Sequence, residues 1–356
     1  MVDPQRTVVP SAIIEGVVGV VNQWNLQLGL GAQGPAQGVL DATAASSGEA
    51  LELASVREVA VRIGTGGSEL FGVVTTGRSG AAVANTARIG VVLINSGAVH
   101  HTGPNRLWVK LARQWAARGV TVLRLDLSGI GDSLPRPQAL PNVIYSAEAA
   151  LDIDAAFKYM RESLGISECH LVGLCSGAYH AFKAGVAGQA LKSVIMINPL
   201  TFFWTVGKMP DETIKEYELV THSEKYKHLI FSIEPWRKLF RGKLDIRFIA
   251  RFVLSFVQAA MHHQFKRLGR LLGVRVQNDL AQELIKSAQQ GVQQKFVFAE
   301  GSPGLALLCS QGGKSLEKLK AKNSISVDGI SNADHTFTRF NARERLISVL
   351  DRLMFG

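Results

Sequence analysis

The chain of 356 residues holds only three cysteines, Cys169, Cys175 and Cys309. Three thiols cannot all pair, and their spacing fits no metal-ligand pattern. Neither a disulfide framework nor a metal site is therefore expected, and the composition reads as that of a protein of the reducing cytoplasm. No segment reaches the roughly 18–20 uncharged apolar residues of a membrane span. The opening MVDPQRTVVPSAIIEGVVGVV has Asp3 where a secretory leader would be basic and Glu15 inside its apolar run, so it fits such a leader poorly. Acidic residues are the scarcer charge: 29 Asp and Glu against 39 Lys and Arg leave a net +10. That balance favours an acidic partner, an anionic lipid surface or nucleic acid.

Apolar residues are not lacking. At 47% they can fill the core of one large α/β domain with an insertion, or of two ordinary domains. Residues 31–50, rich in Gly, Ala and Ser, read as a surface linker, so residues 1–55 are set apart as an N-terminal extension. From residue 56 the pattern sharpens. SVREVAVRIG and SELFGVVTTG alternate as the two strands of an antiparallel hairpin. IGVVLINSG, VTVLRLDLSG, ECHLVGL, LKSVIMIN, QKFVFAE and NSISVDG then read as buried strands.

Helical patterns fall between those strands: PNRLWVKLARQWAARG, with Pro104 at its start and Gly119 past its end; AEAALDIDAAFKYMRESLG, with Ser146 as its cap; SGAYHAFKAGVA; GKSLEKLKAK; and NARERLISVLDRLM. The alternation predicts an α/β fold, a mostly parallel sheet flanked by helices, over residues 56–199 and 295–356. Residues 200–294 offer no sheet strand and read as an inserted helical lid. Within it, residues 225–275 carry twelve Lys and Arg against Glu234 and Asp245, a surplus equal to that of the whole chain. Phe248, Phe252 and Phe256 recur there at helical spacing.

HLVGLCSGAYH, residues 170–180, runs a strand through Gly-x-Cys-x-Gly into a helix. Such a turn forces its central residue into a strained conformation above the carboxyl edge of the sheet, and glycines flank it because side chains there would clash. It also aims the next amide N–H and the positive helix end at whatever bonds to the sulfur.

With Gly173, Cys175 and Gly177 in that context, the chain resembles the α/β-hydrolase family, with Cys175 at the nucleophile position. The resemblance covers roughly residues 56–356. RLDLSGIGDS resembles the family's Asp-x-x-Gly-x-Gly-x-Ser loop, with Asp126, Gly129, Gly131 and Ser133. NADHTF resembles the loop that delivers the catalytic histidine, here His335. By the same resemblance the oxyanion donors are the Ser176 N–H and, from the turn Ser96-Gly97-Ala98, the Ala98 N–H. The family's acid usually follows the seventh strand, where the commonest register falls on Ser302. Glu300 is the nearest carboxylate, with Asp334 or no acid at all as alternatives.

Members of the family with cysteine at this turn include dienelactone hydrolases, polyhydroxyalkanoate synthases and bile-acid-type acyltransferases. The resemblance therefore implies acyl chemistry through a thioester on Cys175, on an ester or acyl-thioester substrate and with no cofactor. A thioesterase or ester hydrolase ranks first, and an acyltransferase to an amine, alcohol or carbon nucleophile second. A ligand-binding scaffold without catalysis is the rival from another class. The surroundings of Cys175, a protonated histidine and a helix end, are expected to lower its pKa. His100 and His101, beside the oxyanion turn, read as substrate contacts or as a polar rim; Asp126 and Asp132 read as loop braces. The basic lid reads either as a solvated helical face or as the dock for an acidic acyl carrier protein or the phosphates of coenzyme A. A membrane surface is a third candidate, and no recognisable nucleic-acid-binding module is present.

Overall fold

The computed structural model describes residues 50–64, 68–78, 88–204 and 278–356. Nine strands lie among them: β1 (Leu51–Glu52), β2 (Val56–Gly64), β3 (Glu69–Gly77), β4 (Ile89–Leu93), β5 (Thr121–Leu125), β6 (Glu168–Leu174), β7 (Ser193–Ile197), β8 (Gln293–Ala299) and β9 (Ile325–Ile330). They form one sheet in the order β1-β2-β3-β5-β4-β6-β7-β8-β9. β2 and β3 make the expected antiparallel hairpin, and β3 pairs antiparallel with β5. From β5 to β9 every pairing is parallel.

Among the described residues six α-helices accompany them: α1 (Leu107–Ala116), α2 (Ala149–Glu162), α3 (Ser176–Ala187), α4 (Leu280–Gln289), α5 (Pro303–Ala321) and α6 (Phe340–Phe355). α1 and α6 cover one face of the sheet, and α2 to α5 cover the other. The uninterrupted apolar runs follow from this. Val91 and Leu93 of β4 enter one core, while Val92 and the next residue, Ile94, enter the other. Two buried indoles fix α1: Trp108 Nε1 donates to the Ile94 carbonyl at 3.0 Å, and Trp115 Nε1 to Asp351 of α6 at 2.6 Å.

The helix starts differ from the sequence reading in two places. Ser146 Oγ accepts the Glu148 N–H at 3.2 Å, but α2 proper opens only at Ala149. α5 begins eleven residues before Lys314, at Pro303, and carries a break at Gly313, where φ is 48°. Pro303 at the first helical position was the available signal. The residues read as N-terminal extension lie outside the described set up to position 49, as do the basic segment and its Phe stripe. α4, inside the span read as lid, buries Leu280 and Leu284 in the core that also holds Val92 and Ile94, and β8 begins at Gln293. Among the described residues no helix is long and apolar enough to cross a membrane.

Parallel pairing sends the loops after β4, β5, β6, β7, β8 and β9 to one edge of the sheet. That carboxyl edge is where open α/β sheets gather their functional groups.

Candidate active site

No linker separates β6 from α3. The strand ends at Leu174 and the helix begins at Ser176, so Cys175 alone makes the turn, with φ 59° and ψ −115°. A residue other than glycine in that region stores about 1–3 kcal/mol and persists only where its surroundings over-determine it. Here the Cys175 N–H donates to the Ile197 carbonyl at 2.9 Å, and its own carbonyl accepts the Tyr179 N–H at 3.3 Å. Both flanking glycines are sterically required. A Cβ on Gly173 would stand 2.1 Å from the Gly177 backbone, and one on Gly177 would stand 2.4 Å from the Asn95 carbonyl oxygen.

The Ser176 N–H hydrogen-bonds the Cys175 sulfur. The Ser176 hydroxyl does separate work: it accepts the Gly97 N–H at 2.8 Å and so ties the loop after β4 to the elbow. With Gly97 engaged, and the Val99 N–H bonded to the Ser96 carbonyl at 3.1 Å, Ala98 occupies the exposed tip of that turn.

The thiol itself departs from the sequence expectation. Burial pushes the Cys175 pKa up to about 11, and the Ser176 N–H offsets this only in part. Removing the thiolate from water costs more than one amide and a helix end return. At neutral pH Cys175 is therefore a neutral thiol.

His335 lies in the loop after β9, which is fastened at several points. Asn198, fully buried just past β7, donates from Nδ2 to the His335 carbonyl at 2.8 Å and accepts the Ala299 N–H on Oδ1 at 2.7 Å. Ile197, which holds the Cys175 amide, is the residue before it, so one step of β7 positions both the elbow and the histidine loop. Ala333 packs on the same apolar cluster as Cys175. Phe337 is wholly buried at a φ of 55° and pins the far end.

The acid candidates act on that loop's backbone. Glu300 Oε2 accepts the Asn332 N–H at 3.1 Å, and Asp334 accepts the N–H and Oγ1–H of Thr338, each at 2.8 Å. Ser302 caps α5.

His100 is exposed, 3.4 Å from the Thr102 hydroxyl, while His101 Nδ1 lies 2.9 Å from Asp126. Sequence reading missed Asn95 and Asn198. Both follow an apolar strand as Ile-Asn, in LINSG and MINPL, and a buried amide at a strand's carboxyl end is the signal that would have found them. It also missed an aromatic group beside the elbow. Tyr145 stacks on Trp204 at 4.2 Å and meets Tyr179 edge-on at 5.2 Å, Tyr179 being one helical turn past Cys175. His180, next to Tyr179, is buried and donates from Nε2 to the Ile144 carbonyl; burial pushes its pKa down to about 4, so it stays neutral.

None of the curated proteins matches the chain in sequence. Solved structures similar to it include a dienelactone hydrolase from Anabaena variabilis at 13% identity and a TM-score of 0.46, covering 84% of this chain and 96% of that one. Another is Est1E from Butyrivibrio proteoclasticus, at 13% identity and 0.47, covering 83% and 97%. A third is an alpha-beta serine hydrolase homologue from Coxiella burnetii, at 11% and 0.46, covering 83% and 96%. The model of the alpha/beta hydrolase family matches residues 91–313, more than half of the chain and the stretch that holds the Cys175 elbow. The chain belongs to the alpha/beta hydrolase family.

Proposed function

We propose that the protein is an acyl-transfer enzyme that works through a thioester on Cys175, and that water is its usual acceptor, which makes it a thioesterase or ester hydrolase. One observation carries this reading: a cysteine held alone at φ 59° between strand and helix, with the Ser176 N–H on its sulfur. Fold stability gains nothing from such a conformation, whereas a nucleophile gains a place at the carboxyl edge of the sheet beside a preset amide donor.

His335 takes the thiol proton as the sulfur forms its bond to the acyl carbonyl carbon. Because the resting thiol is neutral, proton removal and attack are coupled, as they are for a serine. The Ser176 and Ala98 amides receive the oxyanion. The leaving alcohol or thiol departs with the proton from His335. Water then gives a proton to His335 and its oxygen to the carbonyl, and the C–S bond breaks to restore the thiol. Glu300 and Asp334 support the histidine loop by bracing its backbone. The aromatic group of Tyr145, Tyr179 and Trp204 supports an apolar acyl chain, and the basic segment 225–275 is the part of the sequence suited to an acidic donor such as a carrier protein or coenzyme A.

The test is mass spectrometry after brief exposure to an activated acyl ester or a short acyl thioester. An acyl adduct on Cys175 that forms slowly in His335→Ala, with free acid released by the wild type, is the expected result. Acyl passing to an added amine or alcohol in preference to water would make the enzyme an acyltransferase. An unmodified Cys175, with ligand only raising the melting temperature, would make it a binding scaffold.

A further inference from the structure

A second polar cluster stands on the carboxyl edge of the sheet, in the loops after β4 and β5, and the acyl chemistry does not use it. Its base is Asp126, completely buried. Oδ1 accepts from Asn95 Nδ2 at 2.7 Å, and Oδ2 accepts the Asp132 N–H at 3.0 Å and lies 2.9 Å from His101 Nδ1. A carboxylate oxygen has no proton to give, so His101 Nδ1 carries the hydrogen and donates it, leaving the lone pair on Nε2. Gly131, at φ 59°, closes over the carboxylate so tightly that a Cβ there would stand 2.4 Å from Oδ2. Phe71 packs on the His101 ring at 5.0 Å between centroids. Carboxylate and imidazole are thus both fixed, in the arrangement by which a buried carboxylate orients a metal-binding histidine.

Two further donors stand beside that imidazole. The His100 ring meets the His101 ring edge-on at 5.1 Å, and Asp132 Oδ2 lies 3.6 Å from Nδ1, the side of the ring that faces Asp126, so Asp132 has to swing toward Nε2 to share an ion with it. One donor atom from each of His100, His101 and Asp132 falls within 4.8 Å of the other two. A tetrahedral ion with bonds near 2.05 Å spaces its ligand atoms roughly 3.3 Å apart. His100 is exposed and the Asp132 side chain is 58% exposed, so both are free to close the difference while His101 stays put.

We propose that His100, His101 and Asp132 bind a divalent transition ion, with Asp126 as the outer carboxylate that holds His101 in its ligating tautomer. Two imidazoles and one carboxylate select zinc, cobalt, nickel or copper over magnesium or calcium, and three protein ligands leave a coordination position open. The site does not depend on the thiol.

The experiment is titration of chelator-stripped protein with zinc by calorimetry and with cobalt by visible absorption. One equivalent should bind, and the cobalt spectrum should lack a sulfur-to-metal charge-transfer band. His100→Ala and Asp132→Asn, both at solvent-facing side chains, should each weaken binding by at least about tenfold, and Asp126→Asn by about 10- to 100-fold. Cys175→Ser should bind as the wild type does. If Asp126→Asn fails to fold, the two exposed variants decide the matter. Absence of binding, binding lost in Cys175→Ser, or binding of unchanged strength in His100→Ala and Asp132→Asn would each overturn the site.

Discussion

The side-chain amide of Asn198 donates to the main-chain carbonyl of His335 at 2.8 Å, and Asn198 directly follows the residue whose carbonyl holds the Cys175 amide. Cys175 and the loop of His335 therefore share one anchor at the end of β7. Any motion of that anchor is felt by both.

Asn198→Ala removes the bond to His335 and leaves the Ala299 N–H without its acceptor. Each buried group orphaned in this way costs about 1–3 kcal/mol. We expect a lower melting temperature and, in protein that still folds, a fall in kcat larger than any change in KM. Asn198→Asp, which keeps the acceptor for Ala299 but not the donor for His335, should recover stability more than rate. Equal recovery of both would show that Asn198 supports the fold alone.

The thiol's raised pKa sets a pH profile. Alkylation of Cys175 by iodoacetamide should be slow at pH 7 and rise about tenfold per pH unit toward pH 11, because only the thiolate reacts. The folding linkage has the matching sign. With the folded pKa above the ordinary 9.0, the neutral thiol favours the fold below pH 9, and that contribution is lost as pH climbs to about 11. A reaction rate already level at pH 7 would mean a preformed thiolate, and the concerted proton removal assigned to His335 would fall.

The sheet and the elbow were legible in the sequence because each rests on local chemistry. Continuous apolar runs mark strands buried on both faces, and Gly173 and Gly177 mark where backbones touch. The single-residue turn at Cys175 follows from that register. The contact that Glu300 makes was not legible, because it depends on where a loop folds back, and no pattern around it encodes that it turns to the Asn332 amide. The thiol's pKa was misread for a similar reason. A helix end and an amide are visible in the sequence, whereas the burial that outweighs them arises from distant packing. Asn198 went unread because its role lies in contacts to β8 and to a loop more than a hundred residues away.

Gly177→Ala and Gly173→Ala test the elbow's packing. In both, the added methyl meets backbone, at 2.4 Å and 2.1 Å, and backbone in a sheet and helix cannot step aside as a flexible side chain would. Destabilisation of about 3 kcal/mol, the upper end for overpacking, is expected in urea unfolding. Gly329→Ala, where a methyl meets nothing within 4 Å, is the control and should lie within about 0.5 kcal/mol of the wild type. Similar losses at all three positions would remove the steric account of the motif.

Away from the site, Glu58 on β2 gives the fold an acid-sensitive point. It is buried, with Arg113 Nη2 at 2.7 Å, Arg124 Nη2 at 3.1 Å and the Thr75 hydroxyl at 3.3 Å, so one carboxylate joins the hairpin, α1 and β5. Burial alone would raise its pKa, but the two guanidiniums and the hydroxyl outweigh burial and hold it below the ordinary 4.5. A depressed carboxylate pKa stabilises the fold at pH values above 4.5, and the contribution is lost as pH falls through the lower, folded value. Glu58→Gln leaves two guanidiniums facing a neutral amide. It should cost about 3 kcal/mol at pH 7, the low end for breaking a buried pair, since Arg113 is partly solvated. Urea unfolding at pH 7 and again below pH 4.5 checks this: the gap between variant and wild type should shrink in acid, and a gap independent of pH would show that Glu58 contributes through packing and not through its charge.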